Sequence, residues 1–186
     1  MLKFNLIIKN FTDVRCLIND KDLELIDLLR EHIDTKDLFE TAFAKGQLKA
    51  AQKIWQCNPY VSDYILQLPC ICGHINIAKW IYEVSDDAKI FYTKNADPFM
   101  LSCVCGHLDM MQWIYSLENK YLDEESIKSS FKWSCGCGYL NIAKWLYSLN
   151  DNLIELCYDD IFKLISRYGY SEIEEWIYET NKLKSV

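Results

Sequence analysis

Cysteine and histidine recur at short spacing in this chain of 186 residues, in a combination that could bind a metal ion. Three segments carry the pattern Cys-x-Cys, and in two of them a histidine follows two residues later. The residues concerned are Cys70, Cys72 and His74; Cys103, Cys105 and His107; and Cys135 and Cys137. Thiolate sulfur and imidazole nitrogen are the usual ligands of structural zinc, and thiols can also carry redox chemistry. Whether these side chains converge on one ion depends on the elements that hold them.

The three segments belong to an internal repeat that is marked by glycines. Gly73, Gly106, Gly138 and Gly169 follow one another at spacings of 33, 32 and 31 residues, and Gly46 precedes Gly73 by 27. The segment NDKDLELIDLLRE has the same apolar offsets and indicates a further, degenerate unit upstream. We therefore predict a single repeat array over residues 1–186. Its units are the degenerate one at 11–35 and repeats at about 37–62, 63–96, 97–128, 129–159 and 160–184.

The residue types around each glycine predict a helix, a tight turn and a second helix. After the glycine, apolar residues mostly recur at offsets of two, four, five and eight, which is the stripe of an amphipathic helix. A large apolar residue also lies seven positions before each glycine. These residues are Phe39, Leu66, Phe99, Phe131 and Phe162. The predicted fold class is all-α, a solenoid of stacked helix–turn–helix units.

Signals for the start of the first helix stand nine residues before four of the glycines. The residues there are Asp37, Asp97, Ser129 and Asp160. Aspartate and serine accept hydrogen bonds from the free N–H groups at a helix start. Pro98 suits the first helical position, where its missing N–H costs nothing. Glycine suits the left-handed residue at which many helices end.

This helical placement argues against a metal site. Residues i and i+2 on a helix point about 200° apart, so only one cysteine of each pair faces the core. The next set lies one repeat away, on a helix about 8–10 Å distant, whereas a Zn–S bond spans about 2.3 Å. We predict that the cysteine three before the glycine is a small buried residue and that no metal is bound. A thiol-based metal or redox protein remains the disfavoured alternative.

Catalytic motifs do not appear in the sequence. His74 and His107 occupy the same turn position in two repeats, and Tyr139 and Tyr170 replace them in the next two, which favours a structural role. A phosphate-binding glycine loop, HExxH and GxSxG are all missing. We therefore expect no enzyme activity and no cofactor.

The period near 33, the capped first helix and the Gly-His turn resemble the ankyrin repeat. The residues that carry the resemblance are Asp97-Pro98-Phe99 through Cys103, Gly106-His107-Leu108 and the apolar set ending at Ile114. The sequence motifs Cys-Gly-His and Ala-Lys-Trp-Leu-Tyr are similar to motifs in ankyrin proteins of large DNA viruses. The resemblance implies protein–protein recognition through a concave face of first helices and loops, with a host protein as partner if the chain is viral. It does not identify that partner.

Positions five and two before the glycine are predicted to face away from the packed side of the first helix. In the central repeats they are apolar where a solvated surface would be polar, and the last repeat continues them as Leu164 and Arg167. The predicted partner-binding residues are Leu68, Ile71, Leu101, Val104 and Trp133. An exposed apolar patch with a tryptophan commonly marks an interaction site. The other interpretation is that the helix is rotated by one position, or that loops cover the strip.

A second aromatic series lies seven residues after the glycines, on the second helices. Its members are Trp80, Trp113, Trp145 and Trp176. Because seven residues is almost two helical turns, we predict that these side chains pack sideways against the neighbouring repeat. The tyrosines two positions further on, at 82, 115, 147 and 178, are predicted to be mostly structural.

Composition limits the remaining classes of function. A net charge of -7 argues against a nucleic-acid binder, and no apolar run approaches the roughly 18 residues of a membrane helix. The first residues lack the features of a signal peptide, so we expect a cytoplasmic protein with reduced thiols. Acidic residues in the predicted linkers, among them those at 86, 87, 123–125, 159 and 160, are expected to be solvated or to cap helices, with a basic partner as the weaker inference. The leading function is a non-catalytic protein-binding scaffold, and the alternative is a structural repeat protein without a specific partner.

Overall fold

A computed structural model of the protein describes residues 18–21, 23–31, 33–57, 65–85, 97–117 and 122–184. Within these ranges the chain forms eleven α-helices and no strand, so the predicted all-α class is confirmed. None of these helices is both long enough and apolar enough to cross a membrane. The chain divides into two compact units, Met1–Asn95 and Ala96–Val186. Residues 11–17, 22 and 32 of the predicted unit at 11–35 lie outside the described residues.

The first unit contains five of the described helices. They are α1 (Leu23–Leu29), α2 (Thr35–Ala44), α3 (Leu48–Cys57), α4 (Gln67–Cys72) and α5 (Ile75–Val84). The helices α2 and α3 pack together as one pair, and α4 and α5 as the next. The first helices α2 and α4 also pack against each other, while α1 packs against α3. Two consecutive helix pairs are therefore stacked side by side within this unit.

The second unit contains the other six described helices. They are α6 (Pro98–Val104), α7 (Leu108–Ser116), α8 (Glu124–Gly136), α9 (Leu140–Leu149), α10 (Leu153–Tyr168) and α11 (Ser171–Lys184). Consecutive helices again pack in pairs, α6 with α7, α8 with α9 and α10 with α11. The helix α8 packs against both α6 and α10, so the first helices of this unit form a row.

The glycine turns join the two helices of each pair in the way the sequence predicts. All five turn glycines have a positive φ, between 70° and 83°. At Gly106 the backbone N–H of the next residue, His107, donates to the carbonyl oxygen of Ser102 at 2.9 Å. This bond satisfies a carbonyl group that the helix end leaves free, and it requires the left-handed conformation that glycine adopts without strain.

The predicted helix starts are right at one position and wrong at three. Asp97 caps α6, and its Oδ1 accepts from the backbone N–H of Phe99 at 2.9 Å. The cap of α2 is Asp34 and not Asp37. Ser129 and Asp160 lie inside α8 and α10, which begin at Glu124 and Leu153. The reason in α8 is an earlier cap, and in α10 it is an apolar stripe that continues upstream of Asp160.

The core consists mainly of the apolar residues that the repeat predicts. Phe39, Phe99, Phe131 and Leu66 are fully buried, seven positions before their glycines. Phe162, the fifth member of that series, differs from the others, because 47% of its surface is exposed. In α10 the buried residues include Ile161 and Ile165, and this helix packs against α8.

Candidate partner-binding surface

The predicted strip is accessible in the first unit, where it borders a groove. Ile71 on α4 is 40% exposed, and Leu68 is half-buried. Leu68 lines a groove of about 320 Å³ together with residues of α2 and its turn. These residues are Asp37, Glu40, Thr41, Ala44 and Lys45. Thr41 and Ala44 occupy the positions five and two before Gly46, so the same side of α2 and α4 forms this groove, with carboxylates toward the start of α2 and an ammonium group at its end.

In the second unit the most exposed residue of the predicted strip is a tryptophan. Trp133 on α8 is 51% exposed, whereas Leu101 and Val104 on α6 are half-buried. Further along, the strip is closed: Gly136 is buried, and a Cβ atom added to it would lie 3.1 Å from Cδ1 of Leu164. Leu164 therefore packs over the space that the missing side chain leaves. The exposed anchors of the predicted strip are Ile71 in the first unit and Trp133 in the second, and that they bind a partner stays a prediction.

The histidine of the first Cys-x-Cys-x-His segment has a structural position. The ring of His74 lies over the glycine turn of the preceding pair, where a Cβ atom added to Gly46 would come within 2.7 Å of it. Its Nε2 donates to the carbonyl oxygen of Ala44 at 3.1 Å. Tyr139 and Tyr170, which were predicted to replace the histidine, lie over Gly106 and Gly138 in the same way. In these three turns the position holds a flat ring, which is an imidazole in one and a phenol in two.

The cysteines three before the glycines are buried, as predicted. Cys70, Cys103 and Cys135 have no exposed surface, and the Sγ of Cys103 donates to the carbonyl oxygen of Ser130 at 3.1 Å. Burial raises the pKa of the Cys103 and Cys135 thiols to about 12. Both are therefore protonated at neutral pH, and a protonated thiol is a poor nucleophile and metal ligand.

The other cysteines of these segments are half-buried, and the eight cysteines in the described ranges are all thiols. Burial also raises the pKa of Cys137 on the turn and of Cys157 in α10. The described part of the chain contains no group of three or more histidine, cysteine, aspartate or glutamate residues placed to hold one metal ion. The two cysteines of each pair differ in burial, as expected for positions i and i+2.

Three of the four tryptophans in the second series pack against the preceding helix pair, which confirms that prediction for them. Trp80 lies edge-on to Trp55, with ring centroids 5.7 Å apart. Trp145 and Trp176 contact aromatic rings of the pairs before theirs. Trp113 is half-buried. Edge-to-face contacts of this kind contribute about 0.5–1.5 kcal/mol beyond the burial of apolar area.

The acidic residues are placed differently from the prediction in α10. Asp159 and Asp160 lie inside this helix and not in a linker, and the carboxylate of Asp160 pairs with the Nζ of Lys132 at 3.6 Å. Asp123 does cap α8, since its Oδ1 accepts from the backbone N–H of Ser126 at 2.8 Å. This hydrogen bond holds the pKa of Asp123 below its usual range. The acidic residues at 86 and 87 lie outside the described residues.

Sequence reasoning missed a second apolar surface, on α10 and α11. Tyr158, Phe162 and Tyr178 are 46%, 47% and 70% exposed. The repeat pattern placed Phe162 and Tyr178 in packed positions, because the same offsets are packed in earlier repeats. No signal within the repeat distinguishes these residues from their counterparts at the same offsets in earlier repeats.

Comparison with protein-family models gives no match for this chain, and comparison with curated proteins gives none either. The function is therefore inferred from the residues of the chain itself.

Proposed function

We propose that the protein is a non-catalytic, ankyrin-like repeat scaffold that binds a protein partner through the exposed side of its first helices. The observation that carries the proposal is the exposure of Trp133 on α8, beside the apolar positions of α6. Tryptophan is among the residues that contribute most to binding energy, and a solvated helix face gives no reason for an indole there. In the first unit, Ile71 and Leu68 occupy the same offsets from their turn glycine; Ile71 is exposed, and Leu68 lines a groove.

The ankyrin-like assignment is supported by repeated local features. Each described turn glycine is left-handed, and the helices on either side of it pack as a pair. In each unit the first helix of one pair packs against the first helix of the next. These features agree with the period near 33 and with the Gly-His turn in the sequence. The resemblance to proteins of large DNA viruses would make the partner a host protein and the site of action the host cytoplasm.

A structural repeat protein without a specific partner is the second candidate. The observation that favours it is the half-burial of Leu68, Leu101 and Val104, which leaves much of the strip packed against its surroundings. The two candidates differ in the consequence of changing Trp133 and Ile71. If the protein is a scaffold, changing these residues abolishes binding of the partner. If it is a purely structural array, the same changes affect only its stability.

Affinity capture with quantitative mass spectrometry distinguishes the two candidates. The wild-type chain is compared with Trp133→Ala and with Ile71→Ala, and far-UV circular dichroism checks that each variant keeps its helicity. Leu28→Ala is the matched control, because Leu28 is an apolar residue of α1 that is 48% exposed outside the strip. We expect proteins enriched by the wild type and by Leu28→Ala to be lost with Trp133→Ala. Equal enrichment by all four chains would contradict the proposed site.

A further inference from the structure

The junction between α6–α7 and α8–α9 shows how one helix pair covers another. Trp145 of α9 lies 6.2 Å from Phe99 and 5.7 Å from Tyr115, measured between ring centroids, and it is edge-on to the tyrosine at 89°. The same pair places the ring of Tyr139 over Gly106, where an added Cβ atom would be 2.7 Å from Cε1. The rings of Tyr139 and Trp145, which belong to the pair α8–α9, therefore cover three residues of the pair α6–α7.

The next junction repeats this arrangement with the same residue types. Trp176 of α11 lies 6.4 Å from Phe131 and 5.6 Å from Tyr147, again edge-on to the tyrosine at 88°. The ring of Tyr170 lies over Gly138, where an added Cβ atom would be 2.6 Å from its Cε1. In both junctions the covered phenylalanine is seven before the glycine and the covered tyrosine is nine after it.

The third set of these positions lies on α10 and α11, and no following helix pair within the described residues covers it. Phe162 and Tyr178 have the same offsets from Gly169, and they are 47% and 70% exposed. An added Cβ atom at Gly169 would meet nothing within 4 Å. Phe162 is stacked on Tyr158, with centroids 6.0 Å apart and planes at 19°.

These side chains border a cavity of about 440 Å³ between the two helices. Its walls include the buried Ile161 and Ile177, while Glu174 and Lys182 place one charge of each sign at its margin. We call this surface, with Tyr158, Phe162, Gly169 and Tyr178, the α10–α11 face. A cavity of this size has room for an indole ring, whose insertion would remove the exposed aromatic surface from water.

We propose that the α10–α11 face binds a helix–turn–helix unit of a partner protein. A tryptophan on the second helix of that unit lies between Phe162 and Tyr178, and a tyrosine or histidine after its turn glycine lies over Gly169. The assignment of this occupant comes from the two junctions above, which show the chemistry that covers identical positions. It is independent of the role proposed for Trp133, which lies on another side of the second unit's first helices.

The test supplies such a unit to the full chain. A copy of residues 150–184, which contains its own Tyr170 and Trp176, is joined after Val186 through a flexible linker of about ten residues, so that its effective concentration is in the millimolar range. Limited proteolysis measures how strongly the added unit is protected. We expect protection to fall about 30-fold on Trp176→Ala in the added copy alone, the factor that corresponds to an anchor contributing about 2 kcal/mol.

Changes in the face itself complete the test. Phe162→Ala should lower protection of the added unit to a similar extent, and because Phe162 is exposed the change should leave the parent helices intact. Leu156→Ala is the matched control, since Leu156 is 51% exposed on another side of the same helix. Cleavage of the added unit at one common rate in all these chains would overturn the proposal. Sedimentation of the unextended chain as a dimer that Phe162→Ala dissociates would also overturn it, because the occupant would then be a second copy of the chain.

Discussion

Alanine substitution at two turn glycines separates backbone strain from the packing of the next helix pair. Gly138 and Gly169 have nearly the same backbone conformation, with φ of 83° and 77°. A Cβ atom at Gly138 would lie 2.6 Å from Cε1 of Tyr170, whereas a Cβ atom at Gly169 would meet nothing within 4 Å. The two changes therefore impose the same left-handed strain but only one of them creates a steric conflict.

The expected magnitudes follow from this comparison. An alanine in the left-handed region costs about 1–2 kcal/mol, so Gly169→Ala should lower the free energy of unfolding by that amount. Gly138→Ala should lower it by about 2–5 kcal/mol, since the ring of Tyr170 must shift and overpacking adds about 1–3 kcal/mol. Urea unfolding followed by far-UV circular dichroism measures both values.

A double variant tests the cause. Tyr170→Ala in the Gly138→Ala background removes the ring that the new methyl group meets, so the combined loss should be smaller than the sum of the single losses by about 1–3 kcal/mol. The same tyrosine change combined with Gly169→Ala should show a smaller deviation from additivity, because the ring of Tyr170 lies over Gly138. Equal costs for the two glycine changes, or additivity in both double variants, would refute the account of the turn.

Three further predictions address the core, the caps and the thiols. Trp145→Ala should cost about 3 kcal/mol in urea unfolding, the lower end for a large aromatic residue because the indole is half-buried, and a loss below about 1 kcal/mol would contradict its role in the junction. Asp97→Asn should stabilise the protein at neutral pH, because burial raises the pKa of Asp97 and its ionised form opposes folding. The gain should shrink as the pH falls through that raised pKa and be gone below the ordinary pKa of an aspartate. Asp123→Asn should destabilise the protein at neutral pH, because the cap hydrogen bond lowers the pKa of Asp123. The stability of this variant should approach that of the wild type as the pH falls through the lowered pKa. Thermal melts across the acidic range measure both variants, and a difference from the wild type with the same sign in both would contradict the prediction. Cys57 is exposed and should react with a thiol reagent in the folded protein, whereas Cys135 should react only on unfolding, and mass spectrometry that finds equal labelling of the two would contradict the burial.

The elements that the sequence predicts well are those set by local residue type. The five glycine turns, the buried cysteines and the buried Phe99 and Phe131 all follow from offsets within one repeat. A left-handed turn needs glycine, and a helix stripe needs apolar residues, whatever lies beyond them. The all-α class could therefore be predicted from the repeat alone.

The features that were missed depend on what packs from outside the repeat. Phe162 has the same type and offset as Phe131, yet only Phe131 has a tryptophan of a following pair against it. Gly136 stands two before Gly138, a position of the predicted strip, but the absence of a side chain lets Leu164 cover it. Ser129 matched the type of a capping residue while Asp123 upstream made the actual cap. Periodicity within a repeat cannot distinguish these cases.

Site-specific photo-crosslinking tests the proposed partner-binding surface most directly. A benzophenone side chain is introduced in place of Trp133 in one chain and in place of Leu28 in another, and both are irradiated in cell lysate. We predict a discrete crosslinked product from position 133 that position 28 does not give and that excess wild-type chain suppresses. The same products from both positions, or none from position 133, would contradict the claim that the exposed side of the first helices binds a protein.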